Sequence, residues 1–274
     1  MRQKLTSEQR DSFATEYSAG ASLRDLCKKY GLSCHKSARH LVVSRGGILR
    51  KCGRYRTHSL DESAFESITS ESAYWIGFLM ADGCVTTSSV GNLEGIQVFL
   101  AKKDSTHLRK LRKFLKSTAP IKSLVLNDKR KGWENVQSQE YLMVYSKSLA
   151  ESLARFGVSP RKSHTAKVVG LEFNRDFWRG VVDGDGYLSI VYRRDRSKPA
   201  PMIGLVGSGS LLEQFRQFIE ANTDAPASKI QSMGSIFSLR FTGKSAIVVA
   251  RLLYKDCAVA LARKLATAKA FMSM

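Results

Sequence analysis

The sequence predicts an α+β fold built from two similar halves, in which helices cover one face of antiparallel sheets. The main observation is an internal repeat: the stretch from Trp75 to Gly83 recurs from Trp178 to Gly186, and each copy ends in Asp-Gly. After each copy comes the same order of patterns, namely two strands, a helix, two strands and a helix. A separate basic segment precedes the first copy. The predicted parts are a helical domain (1–50), a linker (51–69) and two half-domains (70–166 and 167–274).

The helical domain has the apolar spacing of three short helices. Thr6 or Ser7 can cap the first helix, Ser22 opens the second, and a turn at Gly31 leads into the third. This length, the turn glycine and the basic third helix resemble a helix-turn-helix domain, which places its second turn-flanking helix in the major groove. The alternative is a small helical cap with a solvated basic face. The candidate DNA contacts on the third helix are Lys36, Arg39 and His40.

The linker shows no clear periodicity, which is typical of a connecting segment. It contains Arg54 and Arg56, two arginines that flank a tyrosine. Arginines in such a segment can follow a phosphate backbone without reading bases. We therefore expect Arg54 and Arg56 to contact DNA.

The two copies of the repeated stretch have the pattern of helices that pack closely on each other. Small residues recur four positions apart, so each helix has a smooth stripe on one face. Each apolar run ends at an aspartate, where the negative end of the helix dipole disfavours a carboxylate by about 0.3–1 kcal/mol. The glycine that follows, Gly83 or Gly186, predicts a left-handed helix cap. The predicted interface residues are Gly77, Ala81, Gly180 and Gly184.

The outward faces of the sheets are candidates for reading DNA. Alternation after the second copy predicts that Leu188, Ile190 and Tyr192 face the helices, while Tyr187, Ser189 and Arg193 face outward. Two such sheets side by side would form a saddle that fits the major groove. The candidate DNA contacts on the two sheets are Gln97, Tyr187, Ser189, Arg193 and Arg194.

Both copies resemble the LAGLIDADG motif of homing endonucleases, in the form that carries two motifs in one chain. The resemblance implies that the acidic residue in the eighth motif position, here Asp82 and Asp185, is catalytic and binds a divalent metal ion. It also implies that Ala81 and Gly184 contribute to the metal site. The sixth position is usually acidic in this family, and here it is Met80 in the first copy and Asp183 in the second.

A lysine recurs where the last strand of each half meets the next helix. Lys147 lies in Ser146-Lys-Ser148 and Lys244 lies in Gly243-Lys-Ser245. The resemblance implies a basic residue beside the scissile phosphates near this place, so both lysines are catalytic candidates. A solvated lysine at a helix start is the alternative reading.

The charge of the chain favours a polyanionic partner. With 44 Lys and Arg against 24 Asp and Glu, the 274 residues carry a formal charge of +20, and phosphates bind such a protein with release of counterions. No apolar run approaches the roughly 20 residues of a transmembrane helix. Five cysteines without paired spacing fit a reducing cytosol, and the composition favours a cytoplasmic protein of bacterial or phage origin over an organelle-encoded one.

The function that follows from the resemblance is site-specific cleavage of double-stranded DNA by a monomer. Mg²⁺ is the expected cofactor, with Mn²⁺ as a substitute. Two alternatives stay open on the same fold: a DNA-binding regulator that does not cleave, and a maturase that promotes RNA splicing. The sequence leaves undecided whether an intron carries the gene.

Overall fold

A computed structural model describes residues 5–49, 58–128, 135–192, 199–226 and 229–274. The chain divides into two compact units, Met1–Tyr55 and Arg56–Met274. Four candidate DNA contacts lie outside the described residues, and they are Arg54, Arg56, Arg193 and Arg194. Among the described residues, no helix is long and apolar enough to cross a membrane.

The first unit contains three helices around a small apolar core. They are α1 (Ser7–Ser18), α2 (Leu23–Lys29) and α3 (His35–Ser44). Thr6 and Gln9 form a reciprocal capping box at the start of α1, and Ser22 caps α2. On α3 the candidate DNA contacts Lys36, Arg39 and His40 are exposed. The core of this unit contains Phe13, Tyr17, Leu26, Cys27, Ala38 and Val42.

The second unit contains the two predicted halves, each with the element order αββαββα. The α+β class and the paired half-domains are therefore confirmed. The first half consists of α4 (Ser70–Ala81), β1 (Gly83–Thr87), β2 (Leu93–Ala101), α5 (Ser105–Phe114), β3 (Lys122–Asp128), β4 (Asn135–Tyr145) and α6 (Lys147–Ala154). The second half consists of α7 (Arg175–Asp185), β5 (Gly186–Val191), β6 (Ala200–Gly207), α8 (Gly209–Asn222), β7 (Gln231–Met233), β8 (Ile236–Thr242), α9 (Lys244–Tyr254) and the additional helix α10 (Ala262–Met272).

Each half has one antiparallel sheet of four strands with the same topology. The strand order is β1-β2-β4-β3 in the first sheet and β5-β6-β8-β7 in the second. In the central pair of the first sheet, Val98 lies opposite Leu142, and in the second, Leu205 lies opposite Leu239. These side chains are buried beneath the helices. Residues that alternate with the core-facing ones along the strands, such as Gln97 on β2 and Ser189 on β5, lie on the other face and are only half-buried.

The helices α4 and α7 lie at the centre of the unit. Nine successive residues of α4, Ser72–Met80, are buried, which is typical of a helix that has protein on all sides. Trp75 and Trp178, at equivalent positions of the two helices, are both fully buried. One continuous core therefore joins the two halves around this helix pair.

The predicted left-handed caps at Gly83 and Gly186 are wrong. Gly186 has φ −87° and ψ 170°, and Gly83 does not have a positive φ. The backbone that enters each strand instead passes directly over the last turn of the preceding helix. A Cβ at Gly83 would therefore lie 2.6 Å from the Leu79 carbonyl oxygen. Glycine is needed here because the backbone passes close to the helix.

One predicted inward position in the second sheet is also wrong. Leu188 and Ile190 pack against the core, but Tyr192 is 80% exposed. The reason is that β5 ends at Val191. The alternation rule applies only while the strand continues.

Candidate active site

The two motif helices touch through their small residues. A Cβ added to Gly77 would overlap the carbonyl oxygen of Phe177, and one added to Gly180 would overlap that of Tyr74. At the far end, a Cβ on Gly184 would overlap the Cβ of Ala81. The four predicted interface residues are therefore brought together along one line, with backbone against backbone.

This close contact delivers both aspartates to the same end of the helix pair. Asp82 follows the last residue of α4 as its cap, and Asp185 is the last residue of α7. A Cβ on Gly184 would lie 3.4 Å from Asp82 Cγ. The carboxyl group of Asp82 thus lies beside the residue that precedes Asp185.

The surroundings disfavour the ionised form of both carboxyl groups, although both aspartates are exposed residues. Loss of hydration within the protein, followed by repulsion from Asp185, raises the pKa of Asp82 from 3.8 to about 6. Loss of hydration also raises the pKa of Asp185. Two close carboxylates whose pKa values are raised in this way are typical of sites that bind cations or transfer protons.

Two buried lysines lie next to this pair, and the sequence analysis missed both. Lys162, in the segment after α6, donates a very short hydrogen bond to the carbonyl oxygen of Gly83. Lys264, on α10, donates to the carbonyl oxygen of Gly186 at 2.6 Å. The two lysines are 7% and 3% exposed. Both ammonium groups favour the ionised form of Asp185 and of Asp82.

Lys264 binds the whole C-terminal end of α7. Its ammonium group lies 2.8 Å from the carbonyl oxygen of Val182, 2.7 Å from that of Asp183 and 3.2 Å from that of Gly184. The carbonyl oxygen of Val182 also accepts the backbone N–H of Gly186. A cation at the C-terminal end of the helix satisfies the terminal carbonyls and offsets the helix dipole. Burial lowers the pKa of Lys264 to about 8, so the group is mostly charged at neutral pH.

Spacing is the sequence signal that could have revealed these lysines. Lys162 lies 79 residues after Gly83, and Lys264 lies 78 residues after Gly186. The two lysines are thus part of the internal repeat. The local structure around them differs, because Lys162 begins a short 3₁₀ helix (Lys162–His164) and Lys264 lies in α10.

Asp183, the acidic residue in the sixth motif position of the second copy, is held by hydrogen bonds inside the protein. Asp183 is fully buried and accepts hydrogen bonds from the hydroxyl of Tyr74 at 2.7 Å and of Tyr254 at 2.8 Å. It also accepts a bond of 2.6 Å from the backbone nitrogen of Leu261. Met80, its counterpart in the first copy, is buried among apolar residues. The departure from the motif therefore leaves the pair Asp82 and Asp185 intact.

The two lysines predicted to be catalytic lie at the starts of helices, as first residues of α6 and α9. The side chain of Lys147 is 69% exposed and lies 3.5 Å from Glu151. Lys244 is also exposed. Neither contributes to the pKa shifts of Asp82 and Asp185.

The described DNA-contact candidates on the sheets lie on strands next to the helix pair. Gln97 is on β2, opposite Cys84 of β1 and Met143 of β4. Tyr187 is on β5, and its ring covers Gly204 of β6, where a Cβ would overlap it. All three candidates, Gln97, Tyr187 and Ser189, are half-buried.

The residues at this site fit a divalent cation. Among the described residues, no cluster of three or more His, Cys, Asp or Glu side chains is present, so a cation here would bind two carboxylates together with backbone oxygens or water. Oxygen ligands of this kind are those that Mg²⁺ prefers, usually with several waters retained. A divalent cation would also relieve the repulsion that raises the pKa of Asp82.

Comparison with solved structures shows the same fold in a DNA-bound meganuclease. The structure of the LAGLIDADG meganuclease I-AabMI bound to uncleaved DNA superposes with a TM-score of 0.50, at 11% identity, over 75% of this chain and 90% of that chain. I-SmaMI bound to DNA gives 0.49, at 13% identity, over 76% and 88%. The homing endonuclease I-GzeII with its DNA target gives 0.48, at 10% identity, over 76% and 89%.

No protein-family model and no curated protein match the sequence. The evidence for a shared fold is therefore the architecture: two αββαββα halves joined through a close helix pair, each helix ending at an aspartate. The resemblance seen in the two motifs is confirmed at this level. The chain has the fold of the LAGLIDADG homing endonucleases.

Proposed function

We propose that this protein is a site-specific endonuclease that cleaves double-stranded DNA with the help of divalent metal ions. The observation that carries the proposal is the juxtaposition of Asp82 and Asp185 at the end of the close helix pair. Core packing explains the glycines of the two helices. It does not explain two carboxylates that are held side by side at helix ends, where the dipole and the loss of hydration both disfavour them.

Asp82 and Asp185 would hold the cation, with Ala81 and Gly184 as the neighbouring backbone ligands. When bound, Mg²⁺ lowers the pKa of water and stabilises negative charge on phosphoryl oxygens, and Mn²⁺ can replace it. The two aspartates belong to different halves, so each would serve one DNA strand. A monomer therefore contains both carboxylates that cleavage of a duplex needs.

The lysines would act in two different ways. Lys162 and Lys264 are fixed inside the protein, where they bind backbone oxygens and favour ionised aspartates. Lys147 and Lys244 are exposed at helix starts, where they would approach phosphates of a bound duplex and stabilise the charge that develops there.

The DNA would lie against the open faces of the two sheets, which carry Gln97, Tyr187 and Ser189. Strands in the major groove can distinguish all four base pairs. The first unit would add a helix-turn-helix contact through Lys36, Arg39 and His40 on α3. Replacement of Lys36 and His40 by Gln should then weaken binding to long duplexes more than to short ones.

Incubation with a randomised duplex library tests the proposal. We expect specific double-strand cleavage by the wild type with Mg²⁺, and tight binding without cleavage with Ca²⁺ or in the variants Asp82→Asn and Asp185→Asn. The matched control is Asp224→Asn, which removes an exposed carboxylate just after α8, outside the aspartate pair. This variant should leave cleavage unchanged. Tight binding with no Mg²⁺-dependent cleavage would instead identify a regulator, and selective RNA binding that promotes splicing would identify a maturase.

A further inference from the structure

The outer surface of α5 has a concentrated positive charge that the nuclease site does not use. We define the α5 basic face as the exposed residues Lys102, Lys103, Arg109, Lys110 and Lys113. Among the described residues, none of these five side chains forms an ion pair. The nearby carboxylate of Asp104 binds Arg263 of α10 at 3.0 Å, so it is not available to neutralise this face.

The fold does not require this charge. The equivalent helix of the second half, α8, has a single basic residue, Arg216, which binds Glu213 and Glu220 at 2.5 and 2.7 Å. The two helices occupy the same place in their halves, each after the second strand. One surface is therefore strongly positive and the other is nearly neutral on the same scaffold.

The charge also has a cost for α5. Arg109 and Lys113 are four positions apart, where like charges destabilise a helix by about 0.2–0.5 kcal/mol, whereas the dipole favours Lys113 in the last turn. Lys102 and Lys103 precede the helix N-terminus, where the dipole disfavours cations. Asp61 and Glu71 line the same groove as Lys110 and Lys113, and Asp61 binds Lys116. Five exposed cations that form no ion pair among the described residues indicate an external partner that is negatively charged.

The α5 basic face points away from the saddle. On the inner side of α5, Leu108 and Leu111 pack into the core beneath β2, together with Ile96 and Val98. The open sheet face, which carries Gln97, is on the other side of that strand. A duplex in the saddle therefore leaves the α5 basic face uncovered.

We propose that the α5 basic face binds the phosphate backbone of a second DNA duplex while the first occupies the saddle. Charge complementarity supports a polyanion. A membrane is disfavoured because the apolar side chains of α5 are buried, whereas membrane-surface helices expose them. Unpaired bases are disfavoured because Phe114, the one aromatic residue of α5 besides His107, is half-buried against the core and not exposed for stacking. Such a site would hold the enzyme on DNA during transfer between segments.

The test uses the full chain and replaces all five residues of the α5 basic face by Gln. The matched control loses the same charge from exposed residues elsewhere, namely Arg155, Lys167, Arg251, Lys255 and Lys269. Sedimentation velocity with an excess of short mixed-sequence duplex at low salt gives the number of duplexes bound. Circular dichroism melting checks that both variants are folded.

We expect the α5 variant to bind one duplex fewer than the wild type and the control. The affinity for the additional, second-site duplex should fall at least about tenfold. The slope of log affinity against log salt concentration should become shallower by about 0.9 for each phosphate contact removed. Equal stoichiometry and slope in wild type and α5 variant would overturn the proposal. So would an equal loss in the control, or an effect confined to an RNA duplex or to anionic lipid vesicles of phosphatidylserine and phosphatidylcholine.

This inference rests on the proposed binding of DNA in the saddle, but it does not depend on the cleavage reaction. Cleavage of the randomised library by the α5 variant should stay at the wild-type level. If the wild type fails to cleave, the nuclease proposal fails while the difference in duplex stoichiometry still stands. If cleavage is normal and the stoichiometry does not change, the second DNA site alone is refuted.

Discussion

Lys162 and Lys264 hold equivalent places in the two halves of the protein. Each ammonium group donates to the carbonyl oxygen of the glycine that follows a motif aspartate, Gly83 for Lys162 and Gly186 for Lys264. At the end of α7, Lys264 also binds the carbonyls of the last turn, which is the role that a left-handed glycine cap usually has. Lys162 binds only the carbonyl oxygen of Gly83, the first residue of β1. Both lysines also place positive charge beside the carboxylates, which the helix dipole alone would destabilise.

Replacement of Lys264 by Met should destabilise the fold strongly. The variant leaves several buried carbonyl oxygens without their donor, and breaking a buried charged contact of this kind costs about 3–5 kcal/mol. Urea denaturation followed by circular dichroism measures the free energy of unfolding. Lys244→Met, at an exposed position, is the control and should change it by less than about 0.5 kcal/mol. Equal effects of the two substitutions would show that Lys264 does not hold the helix end.

Gly180→Ala should separate the motif helices. Its new Cβ would overlap the Tyr74 carbonyl oxygen and lie 2.6 Å from the Phe78 nitrogen, and backbone cannot move aside as a side chain can. Overpacking costs about 1–3 kcal/mol, measured as a lower midpoint of thermal unfolding. Gly207→Ala is the matched control, because its Cβ would meet only Leu211 Cδ2 at 3.5 Å. An unchanged midpoint for Gly180→Ala would contradict the close helix contact.

The architecture and the aspartate pair could be predicted from the sequence because the repeat fixes both. Two helices with the same spacing of small residues can pack closely along those residues, and that packing brings the ends of the two helices together. The backbone conformation at Gly83 and Gly186 could not be predicted from residue type. Glycine occurs both where φ is positive and where two backbone segments approach closely. The role of Asp183 depends on Tyr74, Tyr254 and Leu261, which are distant in sequence.

Asp82→Asn should change the pH dependence of stability in the absence of metal. The pKa of Asp82 is raised from 3.8 to about 6, so the folded protein binds this proton more tightly than the unfolded chain. The resulting stabilisation is present below about pH 4 and is lost as the pH rises through about 6. Because Asp82 is an exposed residue, we expect a discounted effect of about 1 kcal/mol, or 2–4 °C in Tm.

Melting curves of wild type and Asp82→Asn between pH 4 and 8, in buffer with a chelator, give this comparison. The wild type should lose stability relative to the variant as the pH rises. A constant difference between the two proteins across the range would contradict the raised pKa. Asp224→Asn is the control for a change of one surface charge.

Tyr74→Phe should weaken the connection between the two halves. The Tyr74 hydroxyl donates to Asp183, and it is also bonded to His107 Nε2 at 2.8 Å. Burial lowers the pKa of His107 to about 3, so its ring is neutral, and Nε2 must carry the hydrogen that Tyr74 accepts. Loss of the hydroxyl leaves both partners short of a bond at a cost of about 1–3 kcal/mol.

The control for this network is Tyr141→Phe, since the Tyr141 ring stacks on Phe99 at 5.0 Å and its hydroxyl has no partner among the described residues. Denaturant unfolding should show little change for that variant. Equal stability of Tyr74→Phe and wild type would mean that the buried hydroxyl contributes nothing to joining the halves.

Lys147→Gln and Lys244→Gln should lower cleavage without lowering stability. Both side chains are exposed at helix starts, so their removal leaves no buried group unpaired, while loss of a charge beside the phosphates should slow cleavage about 10²–10³-fold. Single-turnover cleavage of a selected target with Mg²⁺ measures the rate, and nicked intermediates show which strand each lysine serves. Lys162→Gln should instead lower both stability and cleavage. Wild-type cleavage rates for both Lys147→Gln and Lys244→Gln would contradict a catalytic role of these two lysines. The reaction would then depend on the buried lysines, Lys162 and Lys264.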